Sequence, residues 1–320
     1  MAANVMFLLA TGGQIALWKI MEPIIAPLQR FMAAEAYAVF LYNFALIFTE
    51  LVPIALPAVI YAAKNQGVAQ SMRVTKPAPR DMVLAVVSAL VGAYAFQYIG
   101  ALWLIAIESA GGSPVGSNIR VPVTRAELML SCVTVGILPG ICEELLFRGA
   151  IMGAWERRGT KYALAVSSVL FAVSHGSLAG LPTHLMLGFA IGYATIAGGS
   201  IYVAMIYHSV YNISTLAMSF MAAGAPEAAA AAEGSLSILE ALGGIQALPG
   251  LAIATIFFTA AWLGTLRLFT INRDRRKGLF GNVTLPDKTK MPWPELVTFL
   301  SGLITAGGFY LIDVFNTFFP

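Results

Sequence analysis

Three short stretches place proton-handling side chains inside otherwise apolar sequence. ICEELLFRGA carries Glu143, Glu144 and Arg148, FAVSH carries His175, and HSVYN carries His208 and Asn212. Helical positions four apart share a face, so Glu144 meets Arg148, Phe171 meets His175, and His208 meets Asn212. An ion pair between Glu144 and Arg148 lets both be buried. Glu143 is rotated about 100° from its neighbour and shares its own face with Phe147. That leaves Glu144 a structural role and Glu143 the freedom to act as a base. A carboxylate in hydrocarbon costs roughly 2.5 to 3.5 kcal/mol, so each one needs a reason. A carboxylate, two imidazoles and an amide gathered at one place can activate a water and hold an oxyanion.

The elements that must gather them are membrane helices. The chain has 320 residues, 58% hydrophobic and 11% charged, with a mean hydropathy of +0.79. A soluble domain carries about 25% charged residues. The composition predicts an all-α, polytopic transmembrane bundle of about eight or nine spans. Nine are read, at about 4–22, 37–62, 82–108, 126–153, 161–177, 181–198, 200–222, 249–270 and 295–317. The first is read as a retained span and not a cleaved signal, because Lys19 follows the apolar run. Counted from the helix ends at 1.5 Å per residue, Glu143 lies about 15 Å deep, His175 about 21 Å, His208 about 12 Å and Asn212 about 18 Å. The four groups therefore share a level near mid-membrane.

Loops 63–81, 154–161 and 271–294 hold thirteen basic residues against three (Arg30, Arg120, Arg125) in the opposite loops. The long loop 223–248 is acidic, with Glu227, Glu233 and Glu240 and the patch AAAAAEG, read as a helical or flexible connector. This asymmetry predicts a cytosolic N-terminus. Cys132 and Cys142 sit about 15 Å apart on one helix and cannot bridge. No internal repeat supports a transporter, no nucleotide-binding pattern appears, and the small net charge gives no support to a nucleic-acid partner.

EELLFR, FAVSH and HSVYN match EExxxR, FxxxH and HxxxN, in the order seen in the CPBP family of intramembrane proteases. That family includes the type II CAAX prenyl endopeptidases and the Abi and bacteriocin-processing proteins. The Gly-rich lead LMLGFAIGYATIAGGSIYVAMIYHSVYN is also similar to the family's, and the resemblance covers about residues 126–222. It implies a catalytic core over 126–222, flanked by N-terminal spans with a basic loop (1–125) and by an outer loop with the last spans (223–320).

The resemblance implies that Glu143 activates the attacking water with help from His175. His208 and Asn212 would bind the oxyanion, and Glu144 and Arg148 would support the site. The substrate would be a membrane-associated CAAX-like, lipidated or bacteriocin-like peptide or protein in a bacterial plasma membrane. Two chemistries stay open. Glu143, His175 and His208 would form a His₂Glu zinc site if a metal is present, or the site has no cofactor, the form towards which the reading leans. Two other functions remain beside the protease: a proton-coupled transporter and a non-proteolytic immunity or regulatory scaffold. Outside the motifs, His184 is read as a packing or interfacial residue. Glu50 is read as pairing with a polar neighbour or lining a water path, and Gly188 with Gly192 as a close helix contact.

Overall fold

The computed structural model describes residues 7, 10, 12–13, 19–64, 72–113, 120–223, 236–271 and 293–319. Most of the expected first span lies outside these residues. So do Glu227, Glu233, the AAAAAEG patch and the basic run from Arg273 to Lys290.

The described residues are largely helical, without strands. The long helices are α1 (Ala34–Lys64), α2 (Pro79–Ser109), α3 (Arg125–Trp155), α4 (Thr160–Ser174), α5 (Leu181–Gly198), α6 (Ile201–Ala222), α7 (Leu248–Ile271) and α8 (Trp293–Phe318). Six are long and apolar enough to cross a membrane: α1, α2, α3, α5, α7 and α8. The chain is an integral membrane protein.

The expectation of nine spans is met only in part, and the two exceptions among the described helices have visible causes. Helix α4 has 15 residues, about 22 Å, and stops short of a roughly 30 Å hydrocarbon layer. Helix α6 has 22 residues, but His208, Ser209, Asn212, Ser214, Thr215 and Ser219 lower its hydropathy.

Proline shapes two of the helices. α3 widens into π-helical turns at Cys132–Ile137 and Leu145–Ile151, and α1 does so at Glu50–Ala55. Pro53 lies within the α1 turn, and Pro139 follows the first α3 turn. Neither brings an N–H to the carbonyl four residues back, and the helix accommodates the gap by over-widening. Such single-turn bulges cluster at functional sites.

Helix α6 lies at the centre, packed on α2, α3 and α5, while α4 pairs with α5 and α7 covers α2. Close approach comes from small residues. A Cβ on Gly140 would stand 2.9 Å from Ser209 N, and one on Gly136 would stand 2.6 Å from Ile213 Cγ1. The pair Gly136 and Gly140, one turn apart on α3, therefore admits Ser209 and Ile213, one turn apart on α6. Gly188 and Gly192 do the same for α5 on α4, against Ser168 O and Leu164 Cδ1.

Two ends of the bundle are chemically distinct. At one end, Arg73 pairs with Glu156 and reaches Arg148 O, while Arg80 donates to Leu268 O. Thr75 Oγ1 and Ser200 Oγ bond across to Gly199 O and Thr75 O. Two of the loops read as basic, 63–81 and 154–161, thus meet beside the end of α7. At the other, Arg120 pairs with Glu35 and approaches Glu127. There Glu108 accepts the N–H of Ile238, which opens a short capped helix, Ile238–Ala241. Hydrogen bonds from the Ser237 backbone and hydroxyl hold the Glu240 carboxyl below its ordinary value.

Candidate active site

The site is built around α3 and α6. Glu144 and Arg148 are both fully buried, and Arg148 Nη1 donates to Glu144 Oε1 at 3.0 Å. Arg148 Nη2 donates to Gly188 O at 2.9 Å, and the guanidinium lies 4.6 Å from the centre of the Phe171 ring. A carboxylate, a backbone carbonyl and an aromatic face together offset the burial of this cation.

The same Glu144 oxygen lies 2.7 Å from His208 Nδ1. One carboxylate oxygen thus joins the EExxxR and HxxxN stretches. It fixes the buried His208 ring and directs its Nε2 away from Glu144. The helical spacing indicates the Glu144–Arg148 pair, but the bond to His208 crosses 64 residues of sequence and has no local sign.

Glu143 points elsewhere. It is half-buried, and its Oε2 is enclosed without a hydrogen-bond partner. Its near neighbour in charge is Glu50, which is 6% exposed on the π-helical turn of α1 and also keeps an unpartnered Oε2. The reading of Glu50 as paired with a polar neighbour therefore meets another carboxylate. Cys142 is buried among apolar side chains of the core.

Phe171 gathers the rest. Its buried ring lies 4.8 Å from that of His175, 5.6 Å and edge-on from that of His208, and 5.3 Å from that of Phe147. His175 ends α4 and is exposed at the rim. Its Nδ1 lies 2.8 Å from Phe171 O. A backbone carbonyl only accepts, so Nδ1 carries a proton, and in the neutral ring Nε2 then holds the lone pair. Asn212 Nδ2 donates to Val135 O at 3.0 Å. That carbonyl is the one to which Pro139 brings no N–H, so the amide fills a gap made by the proline.

His184, read as a packing or interfacial residue, packs against the site itself. Its ring stacks on His175 at 3.9 Å between centroids, 24° from parallel. All 3 histidines of the chain therefore border one aromatic cluster. The sequence sign was the nine-residue separation across a Gly-rich turn between two antiparallel helices.

The fit to a metal is poor in this arrangement. Among the described residues, no three His, Cys, Asp or Glu side chains converge as a ligand set. The Nδ1 of His175 and that of His208 are held within the protein, which leaves each Nε2 open to a ligand.

No curated protein and no solved structure matches the chain. Residues 125–214 match the family model described as type II CAAX prenyl endopeptidase Rce1-like. That segment contains all three motifs and His184, and leaves only Glu50 outside. The match supports the resemblance of residues 125–214 to the CPBP family, a protease family.

Proposed function

We propose that the chain is an intramembrane endopeptidase that hydrolyses a peptide bond of a CAAX-like, membrane-associated substrate, and that Glu143 activates the water. The observation that carries this reading is the division of labour between adjacent glutamates. Glu144 is consumed by Arg148 and His208, while Glu143 keeps an enclosed, unpartnered oxygen.

In this mechanism, the water oxygen attacks the scissile carbonyl carbon and its proton passes to Glu143. The His175 Nε2 lone pair accepts the water's other hydrogen and orients it. The developing oxyanion is bound by His208 Nε2–H and by the second N–H of the Asn212 amide. For that role His208 is an imidazolium, with its Nδ1–H held by the Glu144 carboxylate. Collapse of the intermediate breaks the C–N bond, and the amine leaves with the proton from Glu143. No step requires a metal.

The catalytic core extends over 126–222, and the end bearing Arg73, Arg80 and Arg158 faces the cytosol of a bacterial plasma membrane. The basic residues there also suit an acidic segment or lipid headgroups.

The test is cleavage of a fluorogenic CAAX peptide, farnesylated and bare, by the purified protein in detergent, with and without a zinc chelator. Cleavage that survives chelation is expected. Loss on chelation that zinc restores would place a metal on Glu143, His175 and His208. No cleavage of either peptide would remove the CAAX substrate from the reading.

A further inference from the structure

The turn between α4 and α5 is held more firmly than a connection needs. Gly176 adopts φ +58°. Leu178 is gripped from both sides: its carbonyl accepts Trp103 Nε1 of α2 at 2.8 Å, and its N–H donates to Asp313 Oδ2 of α8 at 2.6 Å. Tyr310 of α8 donates to Ala172 O at 3.0 Å, one turn before His175. These bonds set the spacing of the two ends of the turn, His175 and the first turn of α5.

His184 sits one turn into α5, with its N–H on Gly180 O at 2.9 Å. Its ring folds back over Gly180, where an added Cβ would stand 2.5 Å from His184 Cε1 and 2.8 Å from Nδ1. The glycine leaves room for the ring, and the ring lies flat on His175. His184 Nδ1 is enclosed without a hydrogen-bond partner. What this side chain offers its neighbour is therefore a face. The bond from His175 Nδ1 to Phe171 O leaves the ring free to tilt about that bond, and the stack supplies the constraint the hydrogen bond lacks.

We infer that His184 is a positioning residue: stacked on His175, it sets the direction of the His175 Nε2 lone pair. The inference rests on the proposed role of His175 in orienting the water. It also assigns work to α8, whose Tyr310 and Asp313 hold the turn that brings the two rings together.

The experiment follows from the chain's having 3 histidines, because an imidazole-labelled sample gives three assignable ring spectra by NMR. Ring signals and cleavage of the farnesylated peptide are measured for wild type, His184→Ala and His184→Phe. Stacking displaces the His175 ring protons upfield. His184→Ala is expected to abolish that displacement and to lower kcat, by up to the order of 10²-fold that a misplaced catalytic group costs, with KM unchanged. His184→Phe is expected to keep the displacement and restore most of kcat.

The inference is overturned if the His175 signals are the same in His184→Ala as in wild type, or if that variant cleaves at the wild-type rate. It is also overturned if His184→Phe loses as much rate as His184→Ala, which would make a ring nitrogen the working group. If wild type cleaves nothing, the ring signals still decide the stacking, and the failure belongs to the protease reading.

Discussion

Glu144 Oε1 lies 2.7 Å from His208 Nδ1 while accepting a hydrogen bond from Arg148 at 3.0 Å. A cation fully enclosed in protein thereby fixes, through one oxygen, the orientation of an imidazole on another helix. The oxygen belongs to the first motif and the imidazole to the last. The pair explains why adjacent glutamates behave differently: the one facing α6 is committed, and the other faces α1.

Removing the cation should cost more than removing the pair. Breaking a buried ion pair from one side costs about 3 to 5 kcal/mol, whereas replacing both partners by apolar groups can be near neutral. Arg148→Met is expected to lower stability by that order, and Glu144→Leu combined with Arg148→Met by clearly less than the sum of the single changes. Reversible unfolding in mixed micelles checks this as a double-mutant cycle. Additive losses would mean that the two residues act independently.

The α3–α6 contact depends on Gly140. Gly140→Val places branched carbons where Ser209 N already stands within 2.9 Å of a Cβ, and over-packing of this kind costs about 1 to 3 kcal/mol or more. The Glu144–His208 bond should lengthen with it, so stability and cleavage are expected to fall together. Gly264 has nothing within 4 Å of a Cβ, so Gly264→Ala should stay within about 0.5 kcal/mol of wild type. Thermal unfolding and peptide cleavage of the two variants test the contrast.

Glu50 and Glu143 bring two carboxyl groups near each other inside the protein, each with an unpartnered oxygen. Glu50→Gln keeps the shape and replaces a buried ionisable group by a neutral amide, so the variant is expected to unfold at a higher temperature than wild type. A lower unfolding temperature would show that Glu50 has a stabilising partner in the folded state.

The spans were legible because long apolar runs have one structural outcome in a bilayer. The reading of 181–198 coincides with α5, and 200–222 with α6 to within one residue. Helix α4 was read three residues too long at its end, because the chain turns at Gly176, whose φ is +58°. The Glu144–Arg148 pair was legible from i, i+4 spacing, and the closeness of α5 to α4 from Gly188 and Gly192. The equivalent pair Gly136 and Gly140 was in view but unread, although it is what admits α6. Contacts between distant segments left no periodic trace, so Glu144 with His208, His175 with His184, and Asn212 with Val135 needed the fold. In the last case Pro139 was the hint, since it deprives Val135 of a partner.

The most direct test of the account compares Glu143→Gln with Glu144→Gln, measuring folding and cleavage of the farnesylated peptide on the same samples. The account predicts that Glu143→Gln unfolds at or above the wild-type temperature and cleaves nothing above background. Glu144→Gln should unfold at a lower temperature, because Arg148 loses its counter-charge. A Glu143→Gln protein that cleaves at the wild-type rate, where the wild type is active, would contradict the assignment of Glu143 as the residue that activates the water.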